Sequence, residues 1–191
     1  MEKTKKKTTM KDKYLLLMEE NSKELLEKDL SLATVLFVDT DNKDESGKNK
    51  VFICPLNNLE NDDKKETMNF IGKKMDGEGI LVKGLTLISE AWCLKGDKSI
   101  MKKEDIDKYY KEHGSIKNHP LRTEAIIIAD WEIKSDKKTM ISQEFSIKKK
   151  KVVYGNRDKI SIKKGNKDSR FYLLEYFLKG YLKGSPKTSK K

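Results

Sequence analysis

Glu90, His119, Arg122 and Glu124 are the side chains of this sequence best suited to chemistry. Glu90 and Trp92 close the apolar run Ile80–Cys93, and Arg122 and Glu124 flank the start of a second run, Thr123–Ile133. If these runs pair as antiparallel strands, residues 90–93 lie beside residues 121–124. Alternation then puts Glu90 and Trp92 on one face of their strand, and Arg122 and Glu124 on one face of theirs. His113 and His119 stand on the insert between them. Two half-buried carboxylates beside an imidazole can pass protons to and from a substrate, so a hydrolase reading assigns catalysis to Glu90, Glu124 and His119. The same cluster of Glu90, Trp92, Arg122 and Glu124 supports a structural reading, in which a Glu90–Arg122 ion pair closes the end of the sheet beneath Trp92.

Other motifs fail on detail. Asp39-Thr-Asp41 after an apolar strand resembles the opening of a haloacid-dehalogenase phosphatase, but Lys43 stands where that pattern needs Thr or Val. As a calcium loop it has Asp44 where Gly is required and Lys50 where Glu is required. A solvated hairpin loop is the simpler expectation. Two histidines and two separated cysteines offer no zinc spacing. A His113, His119, Glu90 set resembling a metal-dependent deubiquitinase-type peptidase lacks the His-x-His pair. No glycine-rich phosphate loop, nucleophile elbow or dinucleotide fingerprint is present, so neither a metal nor a cofactor is expected. Cys54 and Cys93 lie in apolar runs and read as buried free thiols of a reducing, cytoplasmic setting.

Charge is the other signal. The net charge is +11, from 42 Lys and Arg against 31 Asp and Glu. It is polarised: residues 134–191 hold 18 basic and 5 acidic residues, whereas residues 14–133 hold 18 basic and 24 acidic. Only Arg122, Arg157 and Arg170 carry the guanidinium suited to bidentate recognition of guanine or phosphate; the rest of the positive charge is lysine. Lys148-Lys149-Lys150-Lys151, with Tyr154, Arg157, Lys159, Lys163 and Lys164, forms a basic ribbon with one aromatic, able to follow a phosphate backbone. The alternative use of such lysines is to guard a sheet edge against aggregation.

These residues need elements to position them. Spacing predicts a helix over Met10–Leu30, strands over Ala33–Val38 and Val51–Leu56, and a helix opened by Asn61 or Asp62 and stopped by Gly77 and Gly79. The Ile80–Cys93 strand, a short helix near Lys103–Lys111 and the Thr123–Ile133 strand follow. After a turn at Ser135–Lys138 come Thr139–Ile147, then Lys151–Tyr154 and Lys159–Ile162 split by a turn at Gly155-Asn156. A helix over Ser169–Leu182 ends the order. Runs of strands with short polar turns argue for an α+β fold, a mostly antiparallel sheet flanked by helices in a single domain spanning 9–183. Basic segments 1–8 and 184–191 are expected to be disordered. No run approaches the roughly 20 apolar residues of a membrane span, and no signal peptide is expected.

Ile88-Ser-Glu-Ala-Trp92, followed by His119-Pro-Leu-Arg-Thr-Glu-Ala125 and an apolar strand, resembles a group of short uncharacterised bacterial and phage proteins over about a third of the chain. That resemblance implies a shared fold and a mobile-element origin, and nothing about chemistry. The expected function is that of a non-enzymatic accessory protein binding an acidic partner, nucleic acid or host protein, through the basic C-terminal third. The alternatives are the Glu90/Glu124 hydrolase and an oligomer. The last helix is apolar nearly all round, so its Phe171, Leu174, Leu178 and Tyr181 face reads as core or as a homodimer contact.

Overall fold

The structure, a computed structural model, describes residues 10–56, 59, 61–94, 103–113, 119–120, 122–162 and 171–184. Segment 1–8, residues 185–191 and the basic residues Lys163 and Lys164 lie outside them, whereas Gly184, expected in the tail, ends the last helix. The described chain runs α1 (Met10–Asp29), β1 (Val35–Lys43), β2 (Asn49–Pro55), α2 (Asn61–Gly77), β3 (Val82–Leu94), α3 (Lys103–His113), β4 (Arg122–Glu132), β5 (Lys137–Lys148), β6 (Lys151–Ile162) and α4 (Tyr172–Gly184). The six strands form one antiparallel sheet in the order β2-β1-β3-β4-β5-β6. The fold is α+β. Among the described residues no helix is long and apolar enough to cross a membrane.

Helices cover both faces of the sheet. On one face α1 packs Leu15, Met18 and Leu26 onto Ile88, Ile126, Ile128, Ile141 and Phe145. On the other, α2 and α4 bury Met68, Met75, Phe171, Leu174 and Phe177 against Leu36, Val38, Leu85, Leu87 and Met140. The period-two alternation of β3 and β4 feeds both cores, so these two strands read as near-continuous apolar runs. Acids in the first turn of α2 suit its dipole. Gly79, at φ 67, closes that helix, with Ile80 donating its N–H back to the Met75 carbonyl.

Of the two readings of this α4 face, core or homodimer contact, the chain uses it as core. Phe171, Leu174 and Phe177 are fully buried, and Leu178 and Tyr181 are half-buried against the same core. The Tyr181 hydroxyl accepts the Val82 N–H at 3.1 Å and donates to the Ile80 carbonyl at 3.0 Å, tying α4 to the start of β3. The helix is apolar nearly all round because it is wedged between α2 and the sheet.

Two further expectations are corrected. Asp39-Thr-Asp41 is part of β1 and not of a loop: Thr40 is fully buried and donates its hydroxyl to the Lys50 carbonyl at 2.9 Å. Gly155-Asn156 is no hairpin turn either. β6 runs unbroken from Lys151 to Ile162, and the pairing slips by one residue between Gln143 and Phe145, a bulge that leaves Gly155 and Asn156 over Glu144. The true turn is Lys149-Lys150, both at positive φ (49° and 62°).

Candidate functional site

β3 and β4 do pair antiparallel at the predicted ends, with Trp92 opposite Glu124 and Leu94 opposite Arg122. Glu90 faces Ile126, so Glu90 and Glu124 are diagonal neighbours on the α1 face, with Cα atoms roughly 7–8 Å apart. Each carboxylate has a holding task. Glu90 accepts the Leu32 N–H at 3.1 Å, fixing the segment between α1 and β1. Glu124 takes a long 3.5 Å contact from the Trp92 indole N–H. The register places Arg122 four positions along from Glu90, roughly 13 Å by strand rise, so the expected Glu90–Arg122 pair gives way to an Arg122 guanidinium 5.8 Å from the Trp92 ring centre. His119 meets Tyr109 edge-on at 4.5 Å, and Tyr109 also meets His113 at a tilt, 4.3 Å between ring centres. Both imidazoles are thereby tied to α3.

A cleft of about 570 Å³ that sequence reasoning missed opens on the opposite face of this sheet end and reaches Glu90 and Trp92. Ser89, Ala91, Ala125 and Ser142 form its small-residue floor, and Cys93, Glu144, Asp158 and Tyr172 stand round it. Burial first, and then the charge of Glu144, push the Cys93 thiol upward. It is therefore a thiol at neutral pH, the wrong form for a nucleophile. Cys54 is raised by burial as well. A disulfide between the two is out of reach, because β1 lies between their strands, and Leu36 sets Cys54 level with Leu87, six positions from Cys93.

A second recess, of about 260 Å³, lies under the start of α1. Asp39, Gly84 and Glu132 sit in one row across β1, β3 and β4. The missing side chain at Gly84 leaves a gap between the two acids. Asp130, 4% exposed, accepts the Thr86 hydroxyl at 3.0 Å beside it. Burial above all, then the charges of Asp39 and Asp130, push the Tyr14 phenol up to about 12. At the rim Asp41 pairs with Lys83 at 3.2 Å and Lys134 at 3.1 Å, and their hydrogen bonds hold its carboxyl below the usual range. Two sequence features fall at this place: the Asp39-Thr-Asp41 motif, and a glycine inside an apolar strand.

The basic ribbon divides into two parts. Lys148, Lys149, Lys150 and Lys151 are all exposed at the β5–β6 tip, and Lys159 is exposed on β6. Arg157 and Tyr154 do not join them. The Arg157 guanidinium grips Glu19 of α1 through both carboxylate oxygens, with contacts of 2.7 to 3.0 Å. The Tyr154 hydroxyl donates to the Lys23 carbonyl at 3.2 Å, and its ring lies under the Lys23 ammonium at 5.4 Å. Both residues anchor α1 to β6 and are withdrawn from any phosphate. Among the described residues no cluster of three His, Cys, Asp or Glu is arranged to hold a metal ion. No protein-family model matches this chain, and no match was found among curated proteins or solved structures.

Proposed function

We propose that this is a non-enzymatic, cytoplasmic accessory protein of phage or mobile-element type that binds nucleic acid through the β5–β6 tip. The observation that carries the reading is the backbone of Lys149 and Lys150. A two-residue turn with both φ values positive suits Asn-Gly. Lysine there costs about 1 kcal/mol per residue in left-handed backbone strain. Lys148 and Lys151 flank the turn as a directly opposed like-charge pair, which costs more. Four ammonium groups are thus held at one point against local preference. Edge guarding does not explain them, since an edge is guarded along its strand and not at a hairpin tip. Lysines without free arginine forks suit phosphate contact independent of base sequence.

An electrophoretic shift titration at low salt tests this. Four phosphate contacts predict a log–log salt slope of about −3 to −4 on duplex DNA. The double substitution Lys149→Asn, Lys150→Gly should lower affinity roughly tenfold and raise unfolding stability by about 2 kcal/mol. That opposite movement is the signature of a turn kept for binding. No shift with single- or double-stranded DNA or RNA would end this reading. The carboxylate hydrolase has less support, because Glu90 and Glu124 are occupied in holding Leu32 and Trp92.

A further inference from the structure

The two edges of the sheet are treated differently. β6 is twelve residues long, interrupted by the Gly155-Asn156 bulge and carries Lys159 along its length. Bulges and charges of this kind block strand pairing. β2 is only seven residues long, and Val51 and Ile53 on its α1 face are 44% and 62% exposed. Beside them the bare face of β1 and β2 continues into a groove of about 550 Å³ walled by Leu17 and Leu25, which are themselves half-exposed. Among the described residues nothing pairs with the outer side of β2.

Hydrogen-bond parity says which groups of β2 face outward. Leu56 donates its N–H to the Thr34 carbonyl at 2.8 Å, and the register runs on through Leu36–Cys54 and Val38–Phe52. In an antiparallel ladder bonded pairs alternate with unbonded ones, so Cys54 and Phe52 point their backbone groups at β1. Val51 and Ile53 point theirs outward, while Pro55 has no N–H to offer.

We infer that β2 pairs with β2 of a second copy of this chain, antiparallel about a two-fold axis through Phe52. That axis sets Val51 opposite the partner's Ile53, and Ile53 opposite the partner's Val51. Each of these residues then donates its N–H to, and accepts one from, its opposite number. All four outward N–H and C=O groups of Val51 and Ile53 on each strand are satisfied. The charges also permit it: Lys50 faces the partner's Cys54 and stands four positions, roughly 13 Å, from the partner's Lys50. Phe52 and Cys54 are only half-buried, so α2 does not cap the edge. Val51 and Ile53 of the two copies become cross-strand apolar pairs. The result is one twelve-stranded sheet with the two basic tips at its far ends. A seven-residue strand junction covers less than the roughly 800 Å² per partner of a standard stable interface. The dimer is therefore reversible, with a Kd in the micromolar range.

Sedimentation velocity of the full chain, from about 1 to 300 micromolar, reads the association. Wild-type protein should move from monomer to dimer across the series. Ile53→Pro should weaken the dimer at least tenfold while the monomer keeps its melting temperature, because the lost N–H is one that β1 does not use. Hydrogen exchange on the wild-type chain gives a reading independent of that variant's folding. The amides of Val51 and Ile53 should slow as concentration rises, and those of β6 should not. A wild-type monomer throughout, a dimer untouched by Ile53→Pro, or concentration-dependent protection confined to other strands would each overturn the inference.

Discussion

Gly180→Ala will destabilise the fold by about 3 kcal/mol or more, at the upper end of what overpacking causes. A methyl group at Gly180 would sit 2.0 Å from the Asn69 carbonyl oxygen and 2.9 Å from its carbon. From the other side, one at Gly72 would sit 2.1 Å from the Phe177 carbonyl oxygen and 2.8 Å from the Tyr181 nitrogen. The obstacles are backbone atoms, so no rotamer change relieves them and α2 and α4 must part. Parting them costs the 3.3 Å bond from the Asn69 amide to the Tyr176 carbonyl and loosens Met68, Leu174 and Phe177 in the core. For a chain of 191 residues, 3 kcal/mol corresponds to a fall in melting temperature of about 7 °C. Gly77→Ala is the control. Nothing lies within 4 Å of a methyl group there, and alanine favours the helix end it occupies. A Gly180→Ala protein melting within a degree or two of wild type would refute backbone contact between the helices.

That contact shows why part of the architecture was legible in the sequence and part was not. Strand alternation and polar punctuation sufficed for the β3–β4 and β4–β5 pairings, because Ile80–Cys93 and Thr123–Ile133 have only one way to bury both faces. The direction of α4's aromatics was not legible. An all-round apolar helix suits a partner subunit or an internal wedge, and it takes the burial of Phe171, Leu174 and Phe177 and the close approach at Gly72 and Gly180 to decide for the wedge. Gly155-Asn156 has the same ambiguity: the dipeptide serves a turn or a bulge, and the lysines before it hid the real turn, since Lys-Lys is a poor sequence for positive φ. Local propensity lost to sheet register there. The site residues failed for another reason. Pairing of 90–93 with 121–124 was correct to the strand, but an ion pair depends on single-residue register, and four positions separate Glu90 from the level of Arg122.

Arg157→Ala will cost about 2 kcal/mol of stability without weakening nucleic-acid binding. Glu19 is 3% exposed on α1, and its carboxylate is held by Arg157 from β6 and by Lys23 at 2.9 Å. Breaking a fully buried pair typically costs about 3–5 kcal/mol. Here the Arg157 side chain is 36% exposed and Lys23 remains in place, so water and the second cation reduce the loss to about 2 kcal/mol. The pH dependence identifies the mechanism. Burial on its own pushes the Glu19 carboxyl up, but the hydrogen bonds from Arg157 and Lys23 outweigh it and hold the group below its ordinary value of 4.5. The unfolded chain therefore takes up this proton more readily than the folded one. The pair's stabilisation is complete above pH 4.5 and is lost as pH falls through the depressed value. Without Arg157 burial regains weight, so the variant's acid-side loss should be flatter, and the two stability curves should converge as pH falls. Denaturant titrations from neutral pH down to about 3 would show it. Affinity for nucleic acid at low salt should stay level in Arg157→Ala and fall in the Lys149→Asn, Lys150→Gly protein. If both drop together, Arg157 is a phosphate ligand, and the division of the basic ribbon into an α1 anchor and a binding tip is wrong.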